Sequence, residues 1–375
     1  VGGRTAAIER DGFTFDVGPT FFLFPDIIRE VFAAAGFDYD ALVPMRRLDP
    51  MYRLRFADGR TFDASAHVER LKAEVARLDP ADAAGVERYL ADNRAKFEAF
   101  RPVLQKPFLG LGAFLDPAMA KALPYLRPWA TVDGDLGRWF RNPDVRLAFS
   151  FQSKYLGMSP FKCPSLFTIL AHIEYGHGVW HPLGGCNAIP RAMAGCLARM
   201  GVPLRLAEPV EEITFQGRRA TDVRTAKGAY PADAVVVNAD FAAAMRRMVP
   251  NHLRRRWTDE RIAAKGYSCS TFMLYLGVEG TFPDLAHHTI ALARDYARNI
   301  RDIEAGQAPA EPSIYVQNGS VTDPSLAPAG HSALYVLVPV GNLAAGTDWR
   351  AIAPAYREMV LDRVSDLVGR PIRPL

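Results

Sequence analysis

The stretch VGGRTAAIERDGFTFDVGPTFF, residues 1–22, places two glycine-containing turns on either side of an alternating apolar run. In Gly2-Gly3-Arg4, the glycines let the backbone turn sharply and bring its N–H groups close to a bulky ligand. The arginine can pair with a phosphate or steady a ring system. The run Phe13–Val17 alternates apolar and polar residues, which predicts a short strand ended by Gly18-Pro19. An isolated Gly-Gly-Arg is also an ordinary turn, so this motif alone does not decide the function.

Length, composition and charge narrow the class of protein. The chain has 375 residues, of which 49% are hydrophobic and 23% are charged. This composition is typical of a globular protein, and the length favours two domains over one. A net charge of +4 is too small to indicate a nucleic-acid-binding surface, so no nucleic-acid partner is expected. It is compatible with an anionic membrane surface or an anionic cofactor.

The cysteines and the hydrophobic stretches exclude further classes. The four cysteines lack the Cys-x-x-Cys spacing of a zinc knuckle or a dithiol pair, and scattered cysteines are typical of a reducing compartment. The longest hydrophobic stretches are shorter than the roughly 18–20 residues that span a bilayer. Residues 107–126, for example, are interrupted by Asp116, Lys121 and two internal prolines. The sequence therefore predicts a soluble or peripheral protein.

Helical and strand patterns alternate along the chain. An Asp-Gly pair between two alternating runs predicts a β-hairpin over residues 51–65. Residues 202–240 are predicted to form three or four short strands that close on the apolar run 234–237, and residues 101–135 fit poorly into any regular element. Other helices and strands are predicted over 25–36, 68–78, 84–100, 164–176, 187–201, 272–278, 332–340 and 349–369. Interleaved elements of this kind favour an α/β core that carries an inserted second domain.

Taken together, Gly2-Gly3-Arg4, the strand after it and Gly18-Pro19 resemble the second flavin-contacting segment of the two-dinucleotide-binding flavoprotein superfamily. In that superfamily the segment follows a β-α-β unit whose Gly-x-Gly-x-x-Gly turn holds the adenosine half of FAD. The nearest candidate for this turn, GLGAF (110–114), lacks the third glycine and a preceding strand. The resemblance therefore implies a fragment that begins just after the fingerprint and binds FAD poorly on its own.

A longer resemblance narrows the family. Residues 149–170, 178–213 and 235–240 are similar to the central block of bacterial-type phytoene desaturases, and 270–278 and 312–343 continue the match in order. The resemblance covers nearly the whole chain, although the glycine-rich flavin-contacting segment near the family's C-terminus is missing. It implies an α/β fold of the two-dinucleotide-binding flavoprotein type, with an incomplete Rossmann-like FAD domain and an inserted α+β substrate domain.

The resemblance also implies FAD as the cofactor and suggests where it binds. The FAD-binding domain would comprise residues 1–24 and 176–245. The substrate-binding domain, with a helical membrane-facing part, would comprise residues 25–175 and 246–375. The residues expected to contact FAD are Gly2, Gly3, Arg4, Gly18, Pro19, Thr20, Gly184, Gly185, Val210, Asn238 and Ala239.

Two of the stretches that contain these residues also suggest a ligand site from their residue types alone. In Trp180–Gly185 a rigid turn precedes a helix that starts near Asn187, and a helix N-terminus favours an anion or an electron-rich ring edge. Val236–Asp240 is predicted as the polar end of a buried strand, where ligands of open α/β sheets bind. A helix cap and a plain loop are the simpler alternatives. We expect the Gly-Gly-Arg stretch and the Trp-His-Pro-Leu-Gly-Gly turn to converge at the flavin.

The predicted function is the FAD-dependent introduction of C=C bonds into a long isoprenoid polyene, such as phytoene or a related carotenoid precursor. The many Phe, Leu and Met residues of 101–170 would line an apolar tunnel for such a substrate. Candidate proton acceptors are Asp295, Tyr296 and Glu174, although each is more simply a surface or packing residue. We expect a cytoplasmic enzyme that is attached peripherally to the inner face of the cell membrane.

Two other protein classes are built on the same scaffold. One is a flavin oxidase that acts on amines, and the other is a non-enzymatic prenyl carrier similar to Rab GDP-dissociation inhibitors. His172, His177 and His181 are spaced by five and four, but glycines interrupt the helix that would align them, so no metal site is predicted. His287 and His288 are predicted to point to opposite faces of a strand.

Overall fold

The computed structural model describes residues 1–107, 110, 112 and 115–372. Residues 111, 113 and 114 of GLGAF, and residues 108 and 109 of the apolar run 107–126, lie outside the described residues. The chain forms two compact units: a larger one, Gly2–Met193 with Ser268–Leu375, and a smaller one, Val1 with Ala194–Tyr267. The assignment of an FAD-binding and a substrate-binding domain stays a prediction.

Strands and helices alternate along the chain, as the sequence predicts. The strands are β1 (Ala7–Arg10), β2 (Phe13–Asp16), β3 (Phe22–Leu23), β4 (Met45–Arg47), β5 (Tyr52–Arg55), β6 (Thr61–Ala64), β7 (Val179–Pro182), β8 (Glu212–Gln216), β9 (Arg219–Thr225), β10 (Gly228–Pro231), β11 (Ser270–Glu279), β12 (His288–Ala291), β13 (Ile314–Asn318) and β14 (His331–Val340). The helices are α1 (Pro25–Ala34), α2 (Tyr39–Leu42), α3 (Val68–Leu78), α4 (Gly85–Leu104), α5 (Pro117–Ala122), α6 (Val132–Leu136), α7 (Pro143–Phe149), α8 (Ile169–His177), α9 (Ala188–Arg199), α10 (Phe241–Met248), α11 (Asp259–Ala263), α12 (Tyr296–Glu304) and α13 (Trp349–Val368).

The larger unit contains a six-stranded sheet with the strand order β11-β14-β13-β12-β5-β6. Neighbouring strands are antiparallel except β12 and β5, which run parallel. β14 is buried along nearly its whole length, which explains why its sequence is a continuous apolar run rather than an alternating one. Val336 and Val338 of this strand share a buried cluster with Val360 and Val364 of α13, so the long helix covers the sheet.

A second buried cluster joins the β5–β6 hairpin to the helices that follow it. Leu54 of the hairpin packs in this cluster with Val75 of α3, Tyr89 of α4 and Phe149 of α7. The hairpin predicted from the Asp-Gly pair is confirmed, and α3 has the predicted bounds. No helix among the described residues has both the length and the apolar character that a membrane crossing requires.

Part of the stretch predicted to be irregular, residues 101–135, is helical. α4 continues through Pro102, and α5 and α6 follow as short helices. Each short helix has a side-chain cap, because Asp116 accepts a hydrogen bond from Ala118 N and Thr131 accepts one from Gly134 N. Helices of five or six residues are too short for the apolar periodicity that a sequence pattern needs, so the prediction was wrong here.

The smaller unit contains a three-stranded antiparallel sheet with the order β10-β9-β8. The sequence predicted a further buried strand that ends at Val236–Asp240, and this prediction is wrong. Residues 234–239 form no strand, and Val236 is 94% exposed. An apolar run becomes a buried strand only when neighbouring strands form hydrogen bonds with its backbone. No strand among the described residues pairs with the run 234–237.

Candidate functional site

The opening segment folds back on its own glycine turn. Gly2 and Gly3 have positive φ values of 109° and 56°, a backbone region that favours glycine. Val17 N donates a hydrogen bond to Ala6 O at 2.9 Å. A Cβ added at Gly18 would collide with the carbonyl oxygen of Arg4, so only glycine fits there. Strands β1 and β2 therefore return the chain to the Gly-Gly-Arg turn.

The Trp-His-Pro-Leu-Gly-Gly turn lies directly against this opening segment. Asn187 Nδ2 donates a hydrogen bond to Thr5 O at 2.7 Å. A Cβ added at Gly2 would lie 2.8 Å from the same Nδ2 atom. In the small sheet β3-β7-β4, Trp180 stands opposite Phe22. The two glycine stretches therefore lie together, as predicted, and their contact with a flavin stays a prediction.

A buried carboxylate joins the two stretches. Asp16 accepts hydrogen bonds from Cys186 N at 3.1 Å and Asn187 N at 3.3 Å. Gly185 has a φ of +84°, and a Cβ there would lie 2.9 Å from Asp16 Oδ1. Burial raises the pKa of Asp16, although the two backbone hydrogen bonds oppose this rise. The anion expected at the start of α9 is therefore the protein's own Asp16.

A second buried carboxylate, Asp323, fixes the same turn from the other side. Its Oδ2 accepts a hydrogen bond from Gly184 N at 2.6 Å and lies 3.5 Å from His181 Nε2. Burial would raise the pKa of Asp323, but the interactions with His181, Ser325 and Gly184 hold it well below its usual range. Sequence reasoning missed this residue, because the Thr-Asp-Pro-Ser pattern gives no local sign of a partner 139 residues away.

The Gly18-Pro19-Thr20 turn leads into a cluster of aromatic and histidine side chains. Thr20 Oγ1 lies 2.7 Å from Tyr315 OH, which lies 2.7 Å from His288 Nδ1. Phe21 stacks on His288 with 3.9 Å between the ring centroids, and its ring also lies 5.4 Å from that of Tyr155. Pro19 is exposed, whereas Thr20 is buried. The turn is therefore fixed on one side by hydrogen bonds and aromatic contacts.

His287 and His288 do not point to opposite faces of a strand. Both are buried, and their ring centroids are 4.4 Å apart. The ring of His181 lies 4.6 Å from that of His287. The prediction was wrong because β12 begins only at His288, so the two-residue alternation of a strand does not extend to His287.

Glu174 of α8 is buried among tyrosines. Tyr155 OH donates a hydrogen bond to Glu174 Oε2 at 3.4 Å. Beside it, the hydroxyl groups of Tyr52 and Tyr175 are 3.0 Å apart. Burial raises the pKa of Glu174 to about 7, although Tyr52, Gln152 and Tyr155 lower it. Burial therefore brings the pKa of Glu174, one of the three proposed proton acceptors, close to neutral pH.

The other two candidates have structural roles. Asp295 is exposed and caps α12, because its carboxylate accepts a hydrogen bond from Arg298 N at 2.8 Å. Tyr296 packs against the large apolar cluster, and Lys154 Nζ lies 5.0 Å from the centroid of its ring. Burial lowers the pKa of this lysine to about 8. Their part in proton transfer stays untested.

Three of the expected cofactor residues lie in the smaller unit. Val210, Asn238 and Ala239 are exposed and lie outside its strands. Val210 immediately precedes Glu211, whose N–H donates to Arg224 O at 2.9 Å. Their contact with a cofactor stays a prediction. Among the described residues, no group of three or more His, Cys, Asp or Glu side chains could hold a metal ion.

Comparison with known proteins identifies the family. The model of the family described as flavin containing amine oxidoreductase matches residues 1–369. A 4,4'-diapophytoene desaturase (4,4'-diapolycopene-forming) from Methylomonas sp is 41% identical over 98% of this chain and 72% of that protein. A neurosporene-forming phytoene desaturase from Cereibacter sphaeroides is 35% identical over 96% of this chain and 71% of that protein.

A solved structure shows the same fold at low identity. An oxidoreductase from Methanosarcina mazei matches with a TM-score of 0.62 and 15% identity, over 99% of this chain and 78% of that chain. Together with the family match, this confirms the predicted α/β fold of the two-dinucleotide-binding flavoproteins. The chain belongs to the flavin-containing amine oxidoreductase family and, within it, to the bacterial-type carotenoid desaturases. The predictions of an oxidoreductase and of a flavin cofactor are confirmed with it.

Two glycines of the converging stretches leave room for a ligand. A Cβ added at Gly3 or at Gly184 would meet nothing within 4 Å, so both backbones border open space. Bare backbone beside open space allows a ring system or a phosphate to approach closely. Arg4, which is exposed, follows directly in the same turn. Gly3, Arg4 and Gly184 would hold the cofactor. Asp16 and Asp323 fix the Gly184-Gly185 turn through hydrogen bonds from its backbone N–H groups and those that follow it.

Proposed function

We propose that the protein is an FAD-dependent desaturase that introduces C=C bonds into a long isoprenoid polyene of the diapophytoene or phytoene type. The observation that carries the proposal is that Asn187 and Asp16 hold the Gly2-Gly3-Arg4 segment and the Gly184-Gly185 turn together, while Gly3 and Gly184 each border open space. The names of the relatives supply the substrate class. Val210 would contact the adenine of FAD, and Asn238 and Ala239 are proposed as further contacts of the cofactor.

The chain's own residues have to position the substrate and exclude water. The bound flavin supplies the hydride acceptor. An uncharged hydrocarbon gives an ion pair nothing to bind, so the polyene has to be selected by shape and apolar contact. The partly buried Phe21, Phe151 and Tyr155 lie next to the Gly18-Pro19-Thr20 turn and offer such a surface. Residues 25–175 and 246–375 would then form the substrate domain, and 1–24 and 176–245 the FAD domain.

We also propose that the enzyme binds the inner face of the cell membrane peripherally. In the helical segment around α5, Leu115 and Trp129 are 86% and 84% exposed, and Leu104 and Leu123 are more than half exposed. Large apolar side chains this exposed are suited to the boundary of a lipid layer, where a water-insoluble polyene is stored. The basic residues Arg101 and Lys121 are exposed in the same segment.

The test is pigment formation by the complete reading frame that encodes this chain. It is expressed in cells that make 4,4'-diapophytoene and, separately, in cells that make phytoene. Because each new C=C bond lengthens the conjugated system, we expect coloured products in at least one of the two strains. Gly18→Ala, whose added methyl would collide with Arg4 O, should abolish the colour. The matched control Gly195→Ala, exposed on α9 with no atom near the added methyl, should keep it.

The outcome also separates the two alternative functions. A protein that purifies with flavin but leaves both polyenes unchanged and oxidises a monoamine would be an amine oxidase. A protein that binds prenylated ligands without any flavin would be a carrier. Neither alternative is better supported than the desaturase by the relatives.

A further inference from the structure

One carboxyl oxygen of the buried Glu174 has no hydrogen-bond partner among the described residues. The side chain is completely buried on α8, and its Oε2 accepts a long hydrogen bond from Tyr155 OH at 3.4 Å. Tyr52 and Gln152 also lie close enough to lower the pKa of Glu174. Its Oε1 makes no hydrogen bond with any described residue. A buried carboxyl with an unsatisfied oxygen lowers the stability of the fold. A leucine or a glutamine at this position would avoid burying a charge. Packing alone therefore does not account for a carboxyl at this position.

The surroundings of Glu174 contain phenols and no cation. The charge of Glu174 raises the pKa of four surrounding tyrosines. These are Tyr52 on β5, Tyr89 on α4, Tyr155 on the short helix Phe151–Leu156 and Tyr175 on α8. Among the described residues, burial and the side chains of Tyr52, Gln152 and Tyr155 set the pKa of Glu174, and no lysine, arginine or histidine contributes. The carboxylate can therefore be neutralised only by taking up a proton, and burial brings its pKa to about 7.

The position of Glu174 links it to the turn beside the flavin. The ring of Tyr155, its hydrogen-bond partner, lies 5.4 Å from the ring of Phe21. Phe21 follows Gly18-Pro19-Thr20 directly in the sequence and stacks on His288. Contacts of Tyr155 and Phe21 thus connect the carboxyl with the Gly18-Pro19-Thr20 turn, which would contact the cofactor, and an apolar substrate would have to reach Glu174 beside these rings.

We infer that Glu174 is the proton acceptor of the desaturation, an inference that rests on the proposed function. In each step one C–H bond of the polyene would break, and its hydride would pass to the bound flavin. The C–H bond of the neighbouring carbon gives its proton to Glu174 Oε1, and the electron pair of that bond forms the new C=C bond. Glu174 becomes a neutral carboxylic acid and later releases the proton to solvent. The four tyrosines keep the carboxylate dry and orient it.

The inference is tested with Glu174→Gln and Glu174→Asp, with Glu30→Gln on the exposed side of α1 as the matched control. The loss of a general base typically costs 10²–10⁴-fold. We therefore expect Glu174→Gln to lower the rate of polyene formation about 100-fold or more at unchanged flavin content. Glu174→Asp should retain part of the rate with a displaced pH profile, and Glu30→Gln should match the wild type. A Glu174→Gln rate within about threefold of the wild type overturns the inference.

A second readout needs no substrate. An infrared titration of the wild type and of Glu30→Gln should show a protonated carboxyl that ionises near neutral pH, and Glu174→Gln should lack it. The same signal in Glu174→Gln overturns the inference. If Glu174→Gln loses its flavin, the test uses Glu174→Asp instead. A Glu174→Asp variant with the wild-type rate and an unchanged pH profile also overturns the inference. If the wild type itself forms no polyene, the proposed function fails, whereas equal activity in wild type and Glu174→Gln rejects only the role of Glu174.

Discussion

At the scale of single residues, Glu174 couples the stability of the fold to pH. Burial raises its pKa from 4.5 to about 7. Between these two values the folded protein holds a proton that the unfolded chain has released. The stabilising contribution of this group is therefore complete below pH 4.5 and is lost as the pH rises through about 7.

Replacing Glu174 with glutamine should remove this dependence. From pH 4.5 to 7, the free energy of unfolding of the wild type should fall relative to that of Glu174→Gln by on the order of 3 kcal/mol, and the difference should be constant above that range. Denaturant unfolding at a series of pH values measures it, with Glu30→Gln as the control that keeps the wild-type dependence. Parallel curves for wild type and Glu174→Gln would contradict the prediction.

At the scale of elements, the glycine turn before α9 is held by two carboxylates from distant parts of the chain. Asp16 accepts two backbone hydrogen bonds at the start of the helix, and Asp323 accepts one from Gly184. Both carboxylates are buried, so removing either leaves donors without partners. The turn therefore depends on β2 and on the segment before β14 as much as on its own sequence.

The variant Asp16→Ala tests this dependence. It leaves Cys186 N and Asn187 N without an acceptor, and we expect the free energy of unfolding to fall by about 1–2 kcal/mol. If this turn holds the cofactor as proposed, flavin content should fall as well. Asp362→Ala, an exposed position on α13, should change the stability by less than about 0.5 kcal/mol. Equal stability and flavin content in both variants would mean that Asp16 does not hold the turn.

Elements with local signals could be predicted from the sequence, and elements that depend on distant partners could not. The helix α3 and the β5–β6 hairpin follow from apolar periodicity and an Asp-Gly turn, which act within a few residues. The run 234–237 has the same local signal as a buried strand, but pairing decides whether it becomes one. In the candidate site, the glycines were predicted, whereas Asp323 was missed and the side-chain direction of His288 was predicted wrongly, because only the tertiary fold brings these two residues there.

At the scale of the whole molecule, the exposed apolar side chains around α5 should bind a lipid surface. The triple variant Leu115→Ser, Leu123→Ser and Trp129→Ser removes three of them, and we expect its sedimentation with anionic phospholipid vesicles to fall severalfold. Val31→Ser, which removes an exposed valine from α1, is the control and should bind like the wild type. Equal binding by the triple variant and the wild type would place the lipid contact elsewhere or exclude it.

The central claim is that the two glycine stretches hold a flavin that receives hydride from a polyene. Its most direct test is to mix the purified, flavin-loaded full-length protein anaerobically with the diapophytoene- or phytoene-type substrate and to follow the absorbance. We predict that the flavin band bleaches while the absorbance of a longer conjugated polyene rises in equal amount, and that Gly18→Ala shows neither change. A flavin that stays oxidised with both polyenes and bleaches with a monoamine would contradict the claim.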